Sequence, residues 1–595
     1  MAAELQPLLS AWYGGLTGSP APLTPQWLQE SWDRPESFAE AVWTYVAATQ
    51  PPFFSDPENR IALYPDLVSR HLEARGRGMT AWYDAAGPQT YAALHARAQV
   101  LAAHFVSQGL APGDPLVLLL PFGLDLVVAL LAAFRQGLCA IPVLPQGPLW
   151  VERKIALIED ARIYTIRHHH LLRGSFSGRC LPEPIAGGPS APLPDAHCYA
   201  ASAVCLRLCP SLATQESHLL PVRAGTLFRD ALRDGLLSFA LRPGEILAAP
   251  GAALPRYQPT LVLTTLLSGA AFAHVTLDEV QAGRVAWPSL RTLVVSEELC
   301  ELFAQPGRSP PRAALLLRDP SARVNAEAWR QLYSQRALRG AACANVVYDG
   351  ALGGTLLASP PRPAAFHQEV APVAGRRFKL LQAGTMDAPA LDGTGRFQPV
   401  LDITAGPPPR VLPGAVAVPI AGPELPAVDL NLTQTDTGYV CGGSAVPRRE
   451  GLPFPAADTL ALAAACRGVL AAVLVPLSHS QGPRFWLLLF CGAEQPPRKE
   501  AVATQLVDSL GPAALPDEIE ILALYPPQRT SPEPGAVPVV DEQRIRFELA
   551  QGVLHRKRRL ASLPSLNQLR RLVLAMEPDR TPQSATQLAP GEVQP

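Results

Sequence analysis

PLVLLLPFGLDLVVALLAAFRQGLCAIPV, residues 115–143, is the stretch whose reading decides the fold class. Its apolar part, Pro115 to Phe134, is about long enough to cross a bilayer. Pro121-Phe122-Gly123 interrupts it, however, and Asp125 follows at once. The stretch therefore reads as a buried strand (Leu116 to Leu120), a turn, a buried helix (Leu124 to Phe134) ended by Gly137, and a second strand (Cys139 to Val143). Upstream, Thr90-Tyr91 closes a short strand and Ala92 to Gln108 carries a helical period. Gly109 stands at the C′ position and Ala111-Pro112-Gly113-Asp114 forms a turn. Strands alternating with helices in this way predict α/β layers around a largely parallel sheet.

The 595 residues are 48% hydrophobic, enough for more than one core. A net charge of −1 supplies no basic field for nucleic acid or an anionic membrane. The 64 prolines are about twice the usual share, and they predict many loops, because proline removes a backbone donor and stops helices. The ten cysteines contain no CxxC pair and read as small buried hydrophobes in a reducing cytoplasm. Met1 to Pro20 lacks the basic start and apolar block of a signal peptide. Further strand candidates are Ala203 to Leu208, Leu261 to Val275, Leu290 to Val295, Asn345 to Tyr348, Val469 to Val475 and Phe485 to Phe490. Helices are expected over Pro35 to Ala48, Thr459 to Ala465 and Lys499 to Leu510, and residues 404–426 read as a small barrel or sheet. The resulting division is an extension over 1–60, a large α/β domain with helix-flanked sheets over 61–443, a smaller α+β domain over 444–563, and a polar tail over 564–595 that is expected to be disordered. His168-His169-His170 reads as a solvated loop, since alternating side chains cannot all face one ion. Arg556-Lys557-Arg558-Arg559 reads as a cationic helix end.

Thr90-Tyr91-Ala92-Ala93-Leu94, Gly109 to Val117, Leu120 to Asp125 and Phe134-Arg135-Gln136-Gly137 to Val143 together resemble the opening of an acyl-CoA synthetase. Among such enzymes the similarity is greatest to the fatty acyl-AMP ligases. It is strong over residues 90–162 and loose over about 60–560. The resemblance implies an adenylate-forming fold: a large AMP-binding domain and a small lid. It also implies chemistry in which ATP activates a carboxylate and the acyl group passes to a thiol of CoA or a carrier protein.

The family's nucleotide motifs can then be placed one at a time. Its glycine-rich phosphate loop, in which glycine lets backbone N–H groups approach the phosphates, falls on Cys209 to His218. No glycine remains there, the lysine position lies at or near Ser217, and Glu216 adds negative charge. Ser211, Thr214 and Ser217 are the hydroxyls left to donate. The aromatic–His element near Ala252 to Pro255 lacks its histidine. Tyr-Gly-x-Thr-Glu corresponds to Tyr348-Asp349-Gly350-Ala351-Leu352. The tyrosine stays, and leucine replaces the carboxylate that a hard cation needs. The ribose aspartate corresponds to Asp436, the hinge arginine is missing at Gly442-Gly443-Ser444, and the lysine of the small domain is Ala536. These losses imply a catalytically degenerate protein that acts as a binding or scaffold module beside biosynthetic enzymes or an acyl carrier protein. No catalytic residue, metal ligand or cofactor is assigned, and Tyr348 and Asp436 are vestigial nucleotide contacts. A divergent active ligase using ATP and Mg²⁺, and an acyl- or lipid-binding protein, are the alternatives. A cytoplasmic protein without a membrane span or nucleic-acid partner is expected.

Overall fold

The computed structural model describes residues 30–56, 59–184, 193–209, 219–251, 259–305, 307–320, 326–350, 354–363, 369–375, 379–382, 397–400, 432–435, 438–441, 448–449, 452–479, 482–491, 496–529, 539–551 and 553. By internal contacts the chain divides into two units. One comprises 1–459 with 476–484 and 504–515, and the other 460–475, 485–503 and 516–595.

The first unit begins with helix α1 (Pro35–Thr49), whose Phe38, Val42 and Val46 form one buried face. Strands β1 (Thr80–Asp84) and β2 (Gly87–Thr90) make a hairpin. Thr90 ends the strand and also caps helix α2 (Tyr91–Ser107), its hydroxyl accepting the Ala93 N–H at 3.1 Å. Tyr91 is thus the first helical residue and not the end of a strand. Gly109 sits past the helix end with φ +77°, the left-handed backbone that glycine adopts freely.

Next come β3 (Pro115–Leu119), α3 (Leu124–Gln136), β4 (Cys139–Val143), α4 (Pro148–Ala156) and β5 (Arg162–Tyr164). After them follow β6 (Val204–Leu208), β7 (Leu220–Arg223) and α5 (Ala224–Leu237). The order β5-β3-β4-β6-β7 forms a five-stranded sheet, parallel except for the hairpin β6–β7. Helix α3 is buried from Leu126 through Gln136, all round. That explains why its sequence mimics a membrane span: a helix enclosed on every side can be apolar on every side. Among the described residues no helix is long and apolar enough to cross a membrane.

The rest of the unit builds a twelve-stranded sheet. Its members include β8 (Ile246–Ala248), β9 (Ala271–Ala273), β10 (Leu290–Val295), β11 (Ala313–Arg318), β12 (Ala342–Asp349), β13 (Gly354–Ala358), β14 (Glu369–Pro372), β15 (Leu432–Thr435) and β16 (Gly438–Cys441), in the order β15-β16-β14-β13-β12-β11-β10-β8-β9-β1-β2. Strands β12 to β8, β9 and β1 run parallel, and β13 turns back antiparallel on β12. The main core contains Trp82, Phe134, Leu206, Leu247, Leu263 and Phe272, drawn from both sheets and their helices.

Leu261 to Val275 departs from the expected strand. Thr260–Leu267 is helix α6, and only Ala271–Ala273 is extended. Helix α6 is buried at every position, so it carries neither a two-residue nor a 3.6-residue period. Its hydroxyls are compatible with a buried helix because they bond back one turn: Thr265 to the Leu261 carbonyl at 2.8 Å and Ser268 to that of Thr264 at 2.9 Å. The expected strands Leu290–Val295 and Cys139–Val143 match the observed ones residue for residue. The small sheet expected over 404–426 lies outside the described residues.

In the C-terminal part of the chain the helices Ala456–Ala464 and Lys499–Leu510 lie close to their expected spans. Strands Ala471–His479, Gly482–Phe490 and Glu518–Leu522 form a three-stranded sheet in that order. The last two pair in parallel from Trp486↔Glu518 to Phe490↔Leu522. Leu487, Leu488, Leu489 and Phe490 are all buried, as expected of a central strand covered on both faces.

Candidate functional site

Tyr348, the tyrosine aligned by sequence with the family motif, lies near the end of β12. Its ring is 1% exposed, its hydroxyl donates to Thr260 Oγ1 at 3.1 Å, and Phe239 packs against it with ring centroids 5.6 Å apart. Burial, with Asp234 adding to it, pushes the phenol pKa up. The chain beyond Tyr348 runs against helices α5 and α6. A Cβ at Gly350 would overlap the Thr260 hydroxyl, and one at Gly354 would overlap the Asp234 carboxylate. Gly354 also has φ +88°, so both space and backbone conformation require glycine there.

Behind Tyr348 lies a buried charge network that carries no family motif. Arg233 donates from Nε and Nη2 to Asp234 Oδ1 at 2.9 and 2.7 Å, and from Nη1 to Asp230 at 3.0 Å. Asp234, 1% exposed, uses its other oxygen to accept the Thr355 N–H at 2.7 Å. Burial alone would lower the Arg233 pKa, but Asp234 and then Asp230 outweigh it and hold the guanidinium above its ordinary value. One helix thereby fixes the start of β13 by a charge-assisted bond. The signal in the sequence is Asp230-Ala231-Leu232-Arg233-Asp234, three charges within about one turn of a helix that also carries Arg229. Its partner, Thr355, is more than a hundred residues away and has no local mark.

The cavity between Asp230, Asp234, Thr260, Thr264 and Tyr348 measures about 10 Å³. That is room for about one water molecule. Tyr348→Phe is expected to cost about 1 kcal/mol, one net hydrogen bond, and to leave any nucleotide affinity unchanged. Thermal unfolding with and without Mg-ATP checks both halves.

Of the site residues named from the sequence, Tyr348 is brought beside Thr260 and the Arg233 network. Ser211, Thr214, Ser217 and Asp436 lie outside the described residues, as do Ala351, Leu352, Gly442 to Ser444 and Ala536. Cys205 and Cys209 are buried, and Cys205, shielded from water, has its thiol pKa pushed well up.

Two helix-flanked sheets, the smaller one five-stranded and mostly parallel, followed by a small α+β unit, define the class: this is the fold of the adenylate-forming enzymes. Residues 69–165 match the family model of the AMP-binding enzymes. Phosphinothricin tripeptide synthetase PhsB of Streptomyces viridochromogenes is 32% identical over 108 residues, 18% of this chain and 9% of that protein's length. Among solved structures, the amide bond synthetase McbA from Marinactinospora thermotolerans superposes with a TM-score of 0.62 at 14% identity, covering 82% of this chain and 99% of that one. NpsA-ThdA, an artificially fused adenylation–PCP di-domain from Klebsiella oxytoca, gives 0.56 at 13% identity over 77% and 86% of the two chains.

Proposed function

We propose that this chain is a non-catalytic adenylate-forming-enzyme homologue that serves as a binding or assembly module. The observation that carries the proposal is the joint replacement of the family's reactive groups: the glycines and lysine of the phosphate loop, the carboxylate at Leu352, the hinge arginine, and the lysine at Ala536. Each is an electrostatic contributor to a highly charged transition state, and such groups are individually worth several kcal/mol. The packing of Tyr348 against Phe239 and Thr260 supports the reading, because it gives the retained tyrosine a structural role. The partner proposed is a carrier protein or a neighbouring biosynthetic enzyme. A tripeptide synthetase and an adenylation–PCP fusion are among the proteins the chain resembles.

Retention of Tyr348 and Asp436 favours a second reading, a divergent ligase that still uses ATP and Mg²⁺. The acyl-binding alternative draws no support from the cavity beside α6, which has room for about one water molecule. Isotope exchange between pyrophosphate and ATP separates the first two readings, and clear exchange would overturn the proposal.

A further inference from the structure

The triple histidine follows strand β5, an edge strand of the five-stranded sheet. Because β5, β3, β4 and β6 are parallel, it emerges at the carboxyl ends of the strands, the edge where open α/β sheets bind ligands. Thr165, fully buried, pins the segment. Its hydroxyl donates to the Leu119 carbonyl at 2.8 Å and accepts the His168 N–H at 3.3 Å. The chain then winds into a 3₁₀ turn, His169–Leu171, with Leu171 and Leu172 N–H groups bonding the His168 and His169 carbonyls, both at 3.0 Å. Leu171 and Leu172 anchor that turn in a hydrophobic core. The backbone under the histidines is therefore fixed on both sides, while His169 and His170 are exposed and His168 is half-buried.

Within this turn the first and third rings come together, with His168 and His170 centroids 6.0 Å apart and planes inclined at 50°. Two imidazoles at adjacent positions of one tetrahedral or square-planar ion, each nitrogen about 2.0–2.1 Å from it, place their ring centres roughly 4.5–5 Å apart, so this pair of rings closes by about 1 Å on binding. We propose that His168 and His170 form a two-imidazole site for a divalent late first-row cation, Cu²⁺, Ni²⁺ or Zn²⁺, with water completing the coordination. The site uses the outer pair of the triplet and leaves His169 out. Burial first, and then the neighbouring His170, Arg167 and His169, keep the His168 pKa below its ordinary value. The Arg167 cation opposes the ion and sets a moderate affinity.

The test uses the full chain, titrated with Zn²⁺ by calorimetry and with Cu²⁺ by electron paramagnetic resonance. One equivalent should bind with nitrogen ligation. His168→Ala and His170→Ala should each weaken binding by at least about tenfold, and His169→Ala should leave it within about twofold. His168→Gln and His170→Gln, which keep polarity and size at the turn, repeat the loss should an alanine variant fold poorly. Absence of binding, equal loss in His169→Ala, or retention of the site in the double variant His168→Gln/His170→Gln overturns the proposal.

Discussion

Asp234→Ala is expected to lower the free energy of unfolding by about 3–5 kcal/mol, the range for removing one partner of a buried ion pair. Asp234 is 1% exposed and serves two structures at once. It neutralises Arg233 at 2.7 Å and holds the Thr355 N–H at the start of β13. Truncation leaves Arg233 with Asp230 as its remaining carboxylate among these contacts, takes the side-chain acceptor from the Thr355 amide, and opens space behind Gly354. Asp234→Asn keeps an oxygen for Thr355 but turns part of the Arg233 interaction into a neutral one, so it should fall between the variant and the natural chain. The exposed pair Arg97–Asp125 is the contrast. It is as short, at 2.6 Å, but its side chains are 44% and 56% exposed, and Arg97→Ala should cost under about 1 kcal/mol. Urea unfolding, read as a shift in midpoint at constant slope, measures both. Equal losses in the two variants would show that burial does not set the strength of the Arg233 network.

How much of this could be read from sequence depends on where each constraint is written. Residues 115–143 specify their own structure locally: Pro121-Phe122-Gly123 breaks the chain, Gly137 stops the helix, and β4 has the expected bounds. Thr90 was a subtler case, because a threonine can end a strand or cap a helix, and its bond to the Ala93 N–H decides for the cap. Thr260–Leu267 misled for a physical reason. A helix enclosed on all sides leaves no amphipathic period, and its threonines and leucines suit a strand equally well. The charge network was missed because Asp230, Arg233 and Asp234 mark a helix turn, whereas the amide they secure comes from tertiary structure. Tyr348 was found through a family motif, and its burial against Phe239 could not have been read from that motif. Ser211, Thr214, Ser217 and Asp436 rest on sequence alone.

With ATP, Mg²⁺, labelled pyrophosphate and a panel of carboxylic acids, the chain is expected to give no exchange above the blank, at least about 10⁴-fold below an active ligase. Removal of one preorganised electrostatic donor commonly costs about 10²–10³ in rate, and on the proposed reading the phosphate loop, the cation carboxylate and the lid lysine are replaced together. Groups that act on one transition state are not additive: once one is gone, restoring another returns little. Ala536→Lys alone should therefore stay at the blank, and so should Leu352→Glu with Ala536→Lys, because Cys209 to His218 still lacks the glycines that bring backbone N–H groups to a phosphate. Calorimetry with Mg-ATP should show no saturable heat in any of these variants. A gain of more than about tenfold from Ala536→Lys alone would mean that the rest of the transition-state site is in place, and the chain would then be a ligase lacking one cation.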